Sequence, residues 1–332
     1  MKPLVSIVII GRNEEAGLAS CLLAANTAAA EVSACEVIYV DSNSTDRSVE
    51  IARTHGARVV DLPADVRRCP SAGRFIGSQN ASGEFILFLD ADTHIYCGFL
   101  PTAIAHLQTN PILAGVNGRI DDLDEVGTLL EDVEARHDLP TETKWLRGPA
   151  CFYRRSPLMA VGSFDPNLAM EEEAELGLRL RSKGFGLELI PVRMACHTRC
   201  YHCQSFGSVI DTFRRDVETG RLGEITRTIS AAFSRGYGIE FCWLRLQTTI
   251  LLVSWLGIAI LSLLIPNSFL QLSMFLGILA FGSIAIILKK QSVKHALIFV
   301  ANKLIIIVDV LFGLPKIFFP KAGSNVLIEG TE

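Results

Sequence analysis

The sequence predicts an α/β protein, with a doubly wound, mostly parallel sheet followed by apolar helices towards its C-terminal end. Three observations carry this. Strand-like and helix-like segments alternate between Leu4 and Leu89. Polar residues follow directly on the apolar strands. Composition then changes sharply: residues 1–240 hold 24 Lys and Arg against 32 Asp and Glu, whereas residues 241–332 hold 7 against 3.

Taken in order, Leu4–Ile10 is a continuous β-branched apolar run, the pattern of a strand buried on both faces. Glu14–Ala25 has helical spacing. Glu36–Val40 is a second strand, Thr45–His55 a second helix and Ala57–Leu62 a third strand. Pro63–Pro70 reads as a loop, Ser71–Asn80 as a helix and Glu84–Leu89 as a fourth buried strand. Ligands of such sheets bind beyond the carboxyl ends of the strands. Those ends carry Arg12-Asn13-Glu14, Asp41-Ser42-Asn43-Ser44-Thr45-Asp46 and Asp90-Ala91-Asp92-Thr93-His94, which together predict one polar cleft. The Asp41–Asp46 stretch also suits a turn and helix N-cap. No glycine-rich dinucleotide fingerprint and no Walker loop follows the first strand.

The tail contains two uncharged runs, Thr248–Ile265 and Phe269–Leu288, broken by Pro266-Asn267-Ser268. Each has about the length of one helical crossing, and the turn makes them a hairpin. Lys289, Lys290 and Lys294 follow, so the positive-inside rule puts them, and the front half, on the cytoplasmic side of the inner or plasma membrane. The apolar segment 296–319 contains Asn302 and Asp309 on one helical face. It suits a third crossing or an amphipathic helix in the interface. The expected organisation is a catalytic domain over 1–205, a juxtamembrane helical region over 206–246, a membrane region over 247–320 and a tail over 321–332.

With 49% hydrophobic residues, 20% charged residues and a net charge of −4, the 332-residue chain is neither disordered nor a basic nucleic-acid-coating protein. The acids interspersed among Arg214, Arg215, Arg221, Arg227, Arg235 and Arg245 also argue against nucleic acid and leave lipid headgroups as a partner. The nine scattered cysteines are not a secreted disulfide framework. The dense run Cys196-His197-Thr198-Arg199-Cys200-Tyr201-His202-Cys203 invites a zinc reading but has no second knuckle.

Asp90-Ala91-Asp92 is the strongest chemical signal. Two carboxylates two residues apart can face one hard cation, Mg2+ or Mn2+, whose shell substrate phosphates complete. Glu171-Glu172-Glu173 are three adjacent acids whose mutual repulsion raises a pKa towards that of a useful base; acids at a helix N-terminus also suit the macrodipole. Glu175 reads as solvated or structural.

VSIVIIGRNEE, VIYVDSNSTDRS, RFIGSQNASGEFILFLDADT and GSFDPNLAMEEEAELGLRLRSKG, in this order and spacing over roughly residues 3–200, resemble the family 2 inverting glycosyltransferases. The resemblance implies a GT-A type nucleotide-diphospho-sugar-binding fold, a divalent metal, and transfer of a sugar from a nucleotide donor with inversion. It puts Asn13 and Glu14 in the first nucleotide-side loop, Asp41, Ser42 and Asp46 at the base and ribose, and Arg74 near the diphosphate. Asp90 and Asp92 become the metal-binding pair, and His197 a third metal ligand or diphosphate contact. Glu172-Glu173 match the family's Glu-Asp pair; the second member is the usual base, and the longer Glu here leaves Glu172 open as well. Gly148–Phe152 resembles the acceptor-side strand. The Gln-x-x-Arg-Trp signature of processive synthases is absent, which favours addition of a single sugar. A membrane-presented, lipid-linked hydroxyl acceptor in envelope or exopolysaccharide synthesis is the expectation. A polyprenyl phosphate acceptor, an inactive sugar-nucleotide-binding subunit and a zinc-dependent interaction module are the alternatives.

Overall fold

A computed structural model of the chain describes residues 4–123, 138–197, 206–262, 276 and 293–318. These fall into two compact units, within residues 1–200 and 201–321.

In the first unit β1 (Val5–Gly11), β2 (Cys35–Asp41), β3 (Arg58–Asp61) and β4 (Phe85–Asp90) are connected by α1 (Leu18–Ala29), α2 (Ser48–Thr54) and α3 (Pro70–Asn80). Next come β5 (Thr93–Ile95), α4 (Phe99–Thr109), β6 (Leu113–Asp122), β7 (Thr141–Glu142), β8 (Ala150–Arg154), α5 (Arg155–Ala160), α6 (Glu172–Ser182) and β9 (Gly186–His197). The expected alternation is present through β4. Helices α1 and α2 start later than their apolar spacing predicts, because residues 13–15 and 44–48 bond to one another instead of opening helices.

The sheet order is β3-β2-β1-β4-β8-β6-β9-β5, with β7 beside β9. Four of the eight pairings are parallel and four antiparallel. The expected mostly parallel sheet is therefore corrected to a mixed one. Two of the antiparallel pairings come from β8, which runs backwards between β4 and β6, and two from the short β5 and β7 against β9. A strand buried on both faces reads as the same apolar run in either direction. Two reversals leave β6, and β9 parallel to it, pointing the same way as β4. The carboxyl ends of β1, β2, β4, β6 and β9 thus share one edge.

Both faces of the sheet are covered. Val5, Ile7 and Ile9 of β1 pack with Leu18, Cys21 and Leu22 of α1 and with Phe99 and Leu100 of α4. Val8 and Ile10 pack on the other face with Leu158 of α5 and Leu176 and Leu180 of α6. Helix α3 lies tight against β1 on this second face through two glycines one turn apart. A Cβ on Gly73 would stand 3.2 Å from Ile10, and one on Gly77 only 2.2 Å from Val8. That close approach carries Arg74, the residue after Gly73, inward.

The second unit contains α7 (Phe206–Glu218), α8 (Glu224–Ser234), α9 (Gly238–Ser262) and α10 (Val293–Phe318). Two stretches, Gly238–Ile258 and Ala296–Gly313, are long and apolar enough to cross a membrane by length and composition. The first apolar run thus lies on a helix that begins at Gly238, ahead of Thr248. The expected second run lies outside the described residues except for Leu276, as do the Pro266–Ser268 turn, Cys200, His202, Cys203 and the tail. The polar face of α10 is used internally. Asp309 is buried and accepts the backbone N–H of Gly223 at 2.8 Å and of Ile225 at 3.1 Å, capping α8. Thr226 Oγ1 donates to the Val310 carbonyl. None of the seven cysteines among the described residues forms a disulfide.

Replacing Gly77 by Ala forces α3 off β1 and is expected to lower stability by about 1–3 kcal/mol, the usual cost of overpacking. Thermal unfolding of the purified chain measures it, and an unchanged melting temperature would show that α3 has slack.

Candidate functional site

The site is built at the shared strand edge. On one side the loops after β1 and β2 interlock. Asn13 stands at φ 57° and Asn43 at φ 62°, left-handed conformations that asparagine tolerates better than most residues. The Ser44 hydroxyl accepts the N–H of Asn13 at 2.9 Å, and Asn13 Oδ1 accepts the N–H of Thr45 at 2.8 Å. Ser48 accepts the N–H of Glu14, and Asp46 accepts the N–H groups of Glu15 and Ser48. Asp46 thus holds the two loops together. Ser42 joins them through its N–H to the Gly11 carbonyl at 3.0 Å.

Asp41, buried at the end of β2, accepts the Ser44 N–H on Oδ2 at 2.8 Å. Its Oδ1 and the Asn43 Nδ2 are buried without a hydrogen-bond partner. One acceptor and one donor left unmade are costly until a ligand or water fills them.

In the middle of the edge, the Ala91 N–H bonds to the Ile10 carbonyl and the Asp90 N–H to the Pro149 carbonyl, fixing the Asp-Ala-Asp turn between β1 and β8. Asp92 Oδ1 stands 3.5 Å from Nε2 of His197. The other ring nitrogen of His197 faces Asp122 Oδ1 at 3.4 Å, and Arg147 donates to Asp122 Oδ2 at 2.9 Å. Burial disfavours the imidazolium, but Asp122 and Asp92 outweigh it and raise the His197 pKa to about 9. His94 pairs with the Ser20 hydroxyl at 2.8 Å, away from this row.

Among the described residues no group of three or more His, Cys, Asp or Glu side chains is gathered to hold a metal. The donor chemistry at Asp92 and His197 nevertheless fits a hard divalent ion. Such ions take one or two protein groups and complete their shell with water and substrate phosphates. Neighbouring ligands on bonds of ~2.1 Å lie roughly 3 Å apart, close to the observed 3.5 Å separation. A carboxylate on the remote ring nitrogen is the usual orienting partner of a metal-binding histidine.

From the face that it shares with α3, α6 opens towards the edge. Its N-cap, Glu171, has φ 60° and ψ 22°, a strained conformation for a residue with a Cβ. Glu172 is buried; Glu173 keeps 18% side-chain exposure. Arg74 reaches both from α3. Its Nη1 donates to Glu172 at 2.9 Å and Glu173 at 3.3 Å, while Nη2 donates to Asp90 and to the Gly148 carbonyl, each at 2.9 Å. Burial, then the charge of Glu172, push the Glu173 carboxyl up to about 8, with Arg74 opposing. Burial likewise raises Glu172 and Asp90 against the pull of the same arginine. Glu175 is fully buried and held by Arg179 through both carboxylate oxygens, which makes it structural.

The sequence-predicted residues therefore gather along one edge. Asn13, Glu14, Asp41, Ser42 and Asp46 lie beyond β1 and β2, Asp90 and Asp92 follow β4, His197 closes β9, and Arg74, Glu172 and Glu173 meet Asp90 from the face that α3 and α6 cover. Sequence reasoning missed Asp122 and Arg147. Asp122 had the same signal as Asp90, a carboxylate closing an apolar strand. It also missed Asn117, whose buried amide donates to the Ala150 carbonyl at 2.8 Å and steadies the start of β8.

Residues 6–161 match the family described as Glycosyl transferase family 2, which is what this stretch of the chain is similar to. An "Uncharacterized glycosyltransferase" of Haemophilus influenzae is 35% identical over 100 residues, 28% of this chain and 38% of that protein. "Glycosyltransferase AglE" of Haloferax volcanii is 24% identical over 204 residues, 59% of this chain and 67% of that one. The chain thus spans well under half the length of the Haemophilus relative. Among solved structures, the mannosyltransferase PcManGT of Pyrobaculum calidifontis, in complex with GDP-Man and Mn2+, superposes with a TM-score of 0.62. The alignment covers 95% of this chain and 88% of that one at 15% identity, a likeness of fold.

The left-handed Glu171 has a testable cost. Glu171→Val is expected to destabilise by about 1–3 kcal/mol, whereas Glu171→Gly is tolerated because glycine adopts this conformation freely. Equal melting temperatures for the two variants would remove the strain argument.

Proposed function

We propose that the chain is an inverting glycosyltransferase that moves one sugar from a nucleotide-diphospho-sugar to a hydroxyl of a membrane-presented, lipid-linked acceptor, with Mg2+ or Mn2+ as cofactor. The observation that carries this is Glu173, a partly accessible carboxylate with a pKa of about 8 at the same strand edge as Asp90-Ala91-Asp92.

In this reading Glu173 takes the acceptor proton as the new bond to the anomeric carbon forms. The bond from that carbon to the diphosphate oxygen breaks, and its electron pair leaves with the nucleoside diphosphate. Attack from the face opposite the leaving group inverts the centre. The unmatched Asp41 Oδ1 and Asn43 Nδ2 suit the N–H and C=O edge of a nucleotide base. Asn13, Glu14, Ser42 and Asp46 shape the loops around it. Asp92 and His197, with Asp90 beside them, would hold the divalent ion, which when bound neutralises charge on the diphosphate. The Mn2+ and GDP-Man bound by PcManGT are consistent with this chemistry.

The two long apolar helix stretches support a membrane anchor. The lysines after residue 288 support a catalytic domain, residues 1–205, on the cytoplasmic side, with a multi-pass region over 247–320. The absence of the processive signature supports transfer of a single sugar, and the membrane setting an envelope or exopolysaccharide role. Nucleic acid is not a partner in this reading.

Detergent-purified protein is to be assayed against UDP- and GDP-sugars with Mn2+, with Mg2+ and with EDTA. Metal-dependent turnover of one donor, abolished in Asp92→Ala, is the expected result. Glu173→Gln should lower kcat by roughly 10²–10⁴. In the parent, kcat should rise with pH to a midpoint near 8, since only the ionised base accepts the proton. Folding raises this pKa, so the folded state holds the proton more tightly than the unfolded chain. The same ionisation therefore costs stability as pH climbs from about 4 to 8. Turnover onto a lipid phosphate that survives Glu173→Gln would instead favour the polyprenyl phosphate acceptor, which needs no base. Donor binding without turnover under every condition favours the inactive subunit.

Asp122→Ala should weaken Mn2+ binding by about 10–100-fold, read by calorimetry without any turnover. Unchanged affinity would detach His197 from the metal.

A further inference from the structure

We infer that Arg74 is a positioning residue for the base, not a contact to the donor diphosphate: it locks Glu173 and Glu172 into one charge cluster with Asp90. The role of the base rests on the proposed reaction, but the occupancy of Arg74 does not.

Arg74 is 2% exposed. Both terminal nitrogens are spent, Nη1 on Glu172 and Glu173 and Nη2 on Asp90 and the Gly148 carbonyl. Nε, the last donor, is buried with no partner, so no N–H of this guanidinium faces an open cleft. Phe164 backs the guanidinium, 5.5 Å from its carbon to the ring centroid. Four acceptors, from α6, β4 and the stretch before β8, are met by one planar fork. A lysine ammonium has three donors on a single atom and cannot span the same set.

The clamp also sets where the Glu173 carboxylate lies. It presses against Gly148, where a Cβ would stand 2.0 Å from Glu173 Oε1 and 3.3 Å from Arg74 Nη2. Any side chain at 148 would displace the carboxylate. Without the guanidinium, the repulsion between Glu172 and Glu173 would turn Glu173 away from this position. Because Asp90 shares the same cation, the base and the Asp-Ala-Asp turn are held as one piece.

The test compares Arg74→Lys, Glu173→Gln and the double variant in the full chain. Calorimetry with UDP and with GDP, each with Mn2+, is expected to find affinities within about 2-fold of the parent in Arg74→Lys. A loss of tenfold or more would overturn the proposal, because Arg74 would then serve donor binding, directly or through Asp90, and not the base alone. In turnover, Arg74→Lys should lower kcat by about tenfold or more with donor KM within about 2-fold. It should cost no more than about 2-fold when Glu173 is already Gln, since the group it positions is gone. Equal losses on both backgrounds would overturn the proposal too. If Arg74→Lys does not fold, Arg74→Met with Glu172→Gln removes one charge of each sign and is read against Glu172→Gln alone by the same two criteria. A parent that binds a nucleoside diphosphate but turns over no donor fails the proposed reaction and leaves the binding arm to decide Arg74.

Discussion

Arg74 lies between 2.9 and 3.3 Å from three carboxylates that come from β4 and the first turn of α6. Taking so many charges out of water is unfavourable, and only dense pairing makes it tolerable. Here pairing is incomplete, with one cation among three acids, and burial together with that imbalance raises Glu173. The arrangement in turn depends on α3 running close to β1, which glycines at 73 and 77 permit. Steric room at one helix–strand contact is therefore upstream of the electrostatics of the whole cleft.

The same edge depends on a topological detail. Had β8 been parallel to β4, its carboxyl end would have reached the edge and its start would have faced away. Running backwards, it brings Gly148 and Pro149 to the edge, where their carbonyls accept from Arg74 and from the Asp90 N–H. It also lets β6 and β9 deliver Asp122 and His197 to the side of the row nearest Asp92. Acids and bases from six elements meet without any long loop having to carry them.

Much of this was legible in the residues. Three apolar runs followed by polar residues located β1, β2 and β4 to within one residue at each end, and the carboxyl-end rule pointed to Asn13, Asp41 and Asp90. Reversal of β8 was not legible, because alternating burial, the usual mark of an antiparallel strand, is absent when both faces are covered. The occupancy of Arg74 was not legible either. A basic residue in a helix before a metal-type motif looks the same whether it faces solvent or three buried acids, and only the glycines flanking it hint at the difference. Asp309 illustrates a third limit. Its helical face was visible from its spacing to Asn302, but its partner, the start of α8, lies 84–86 residues earlier and leaves no mark in the local pattern.

That distance has a consequence for the order in which the second unit forms. A helix usually carries its own N-cap, so its first turn can close as soon as it is made. Helix α8 has a glycine, Gly223, at that position with no side-chain cap, and borrows the oxygens of Asp309 instead. Its two backbone N–H groups stay unmet by protein until α10 has been synthesised and has returned alongside. Domains form roughly from their N-terminal side during synthesis, and long-range closures are slow. Completion of α8 is thus tied to the arrival of α10, so the amphipathic segment and the apolar helix mature together.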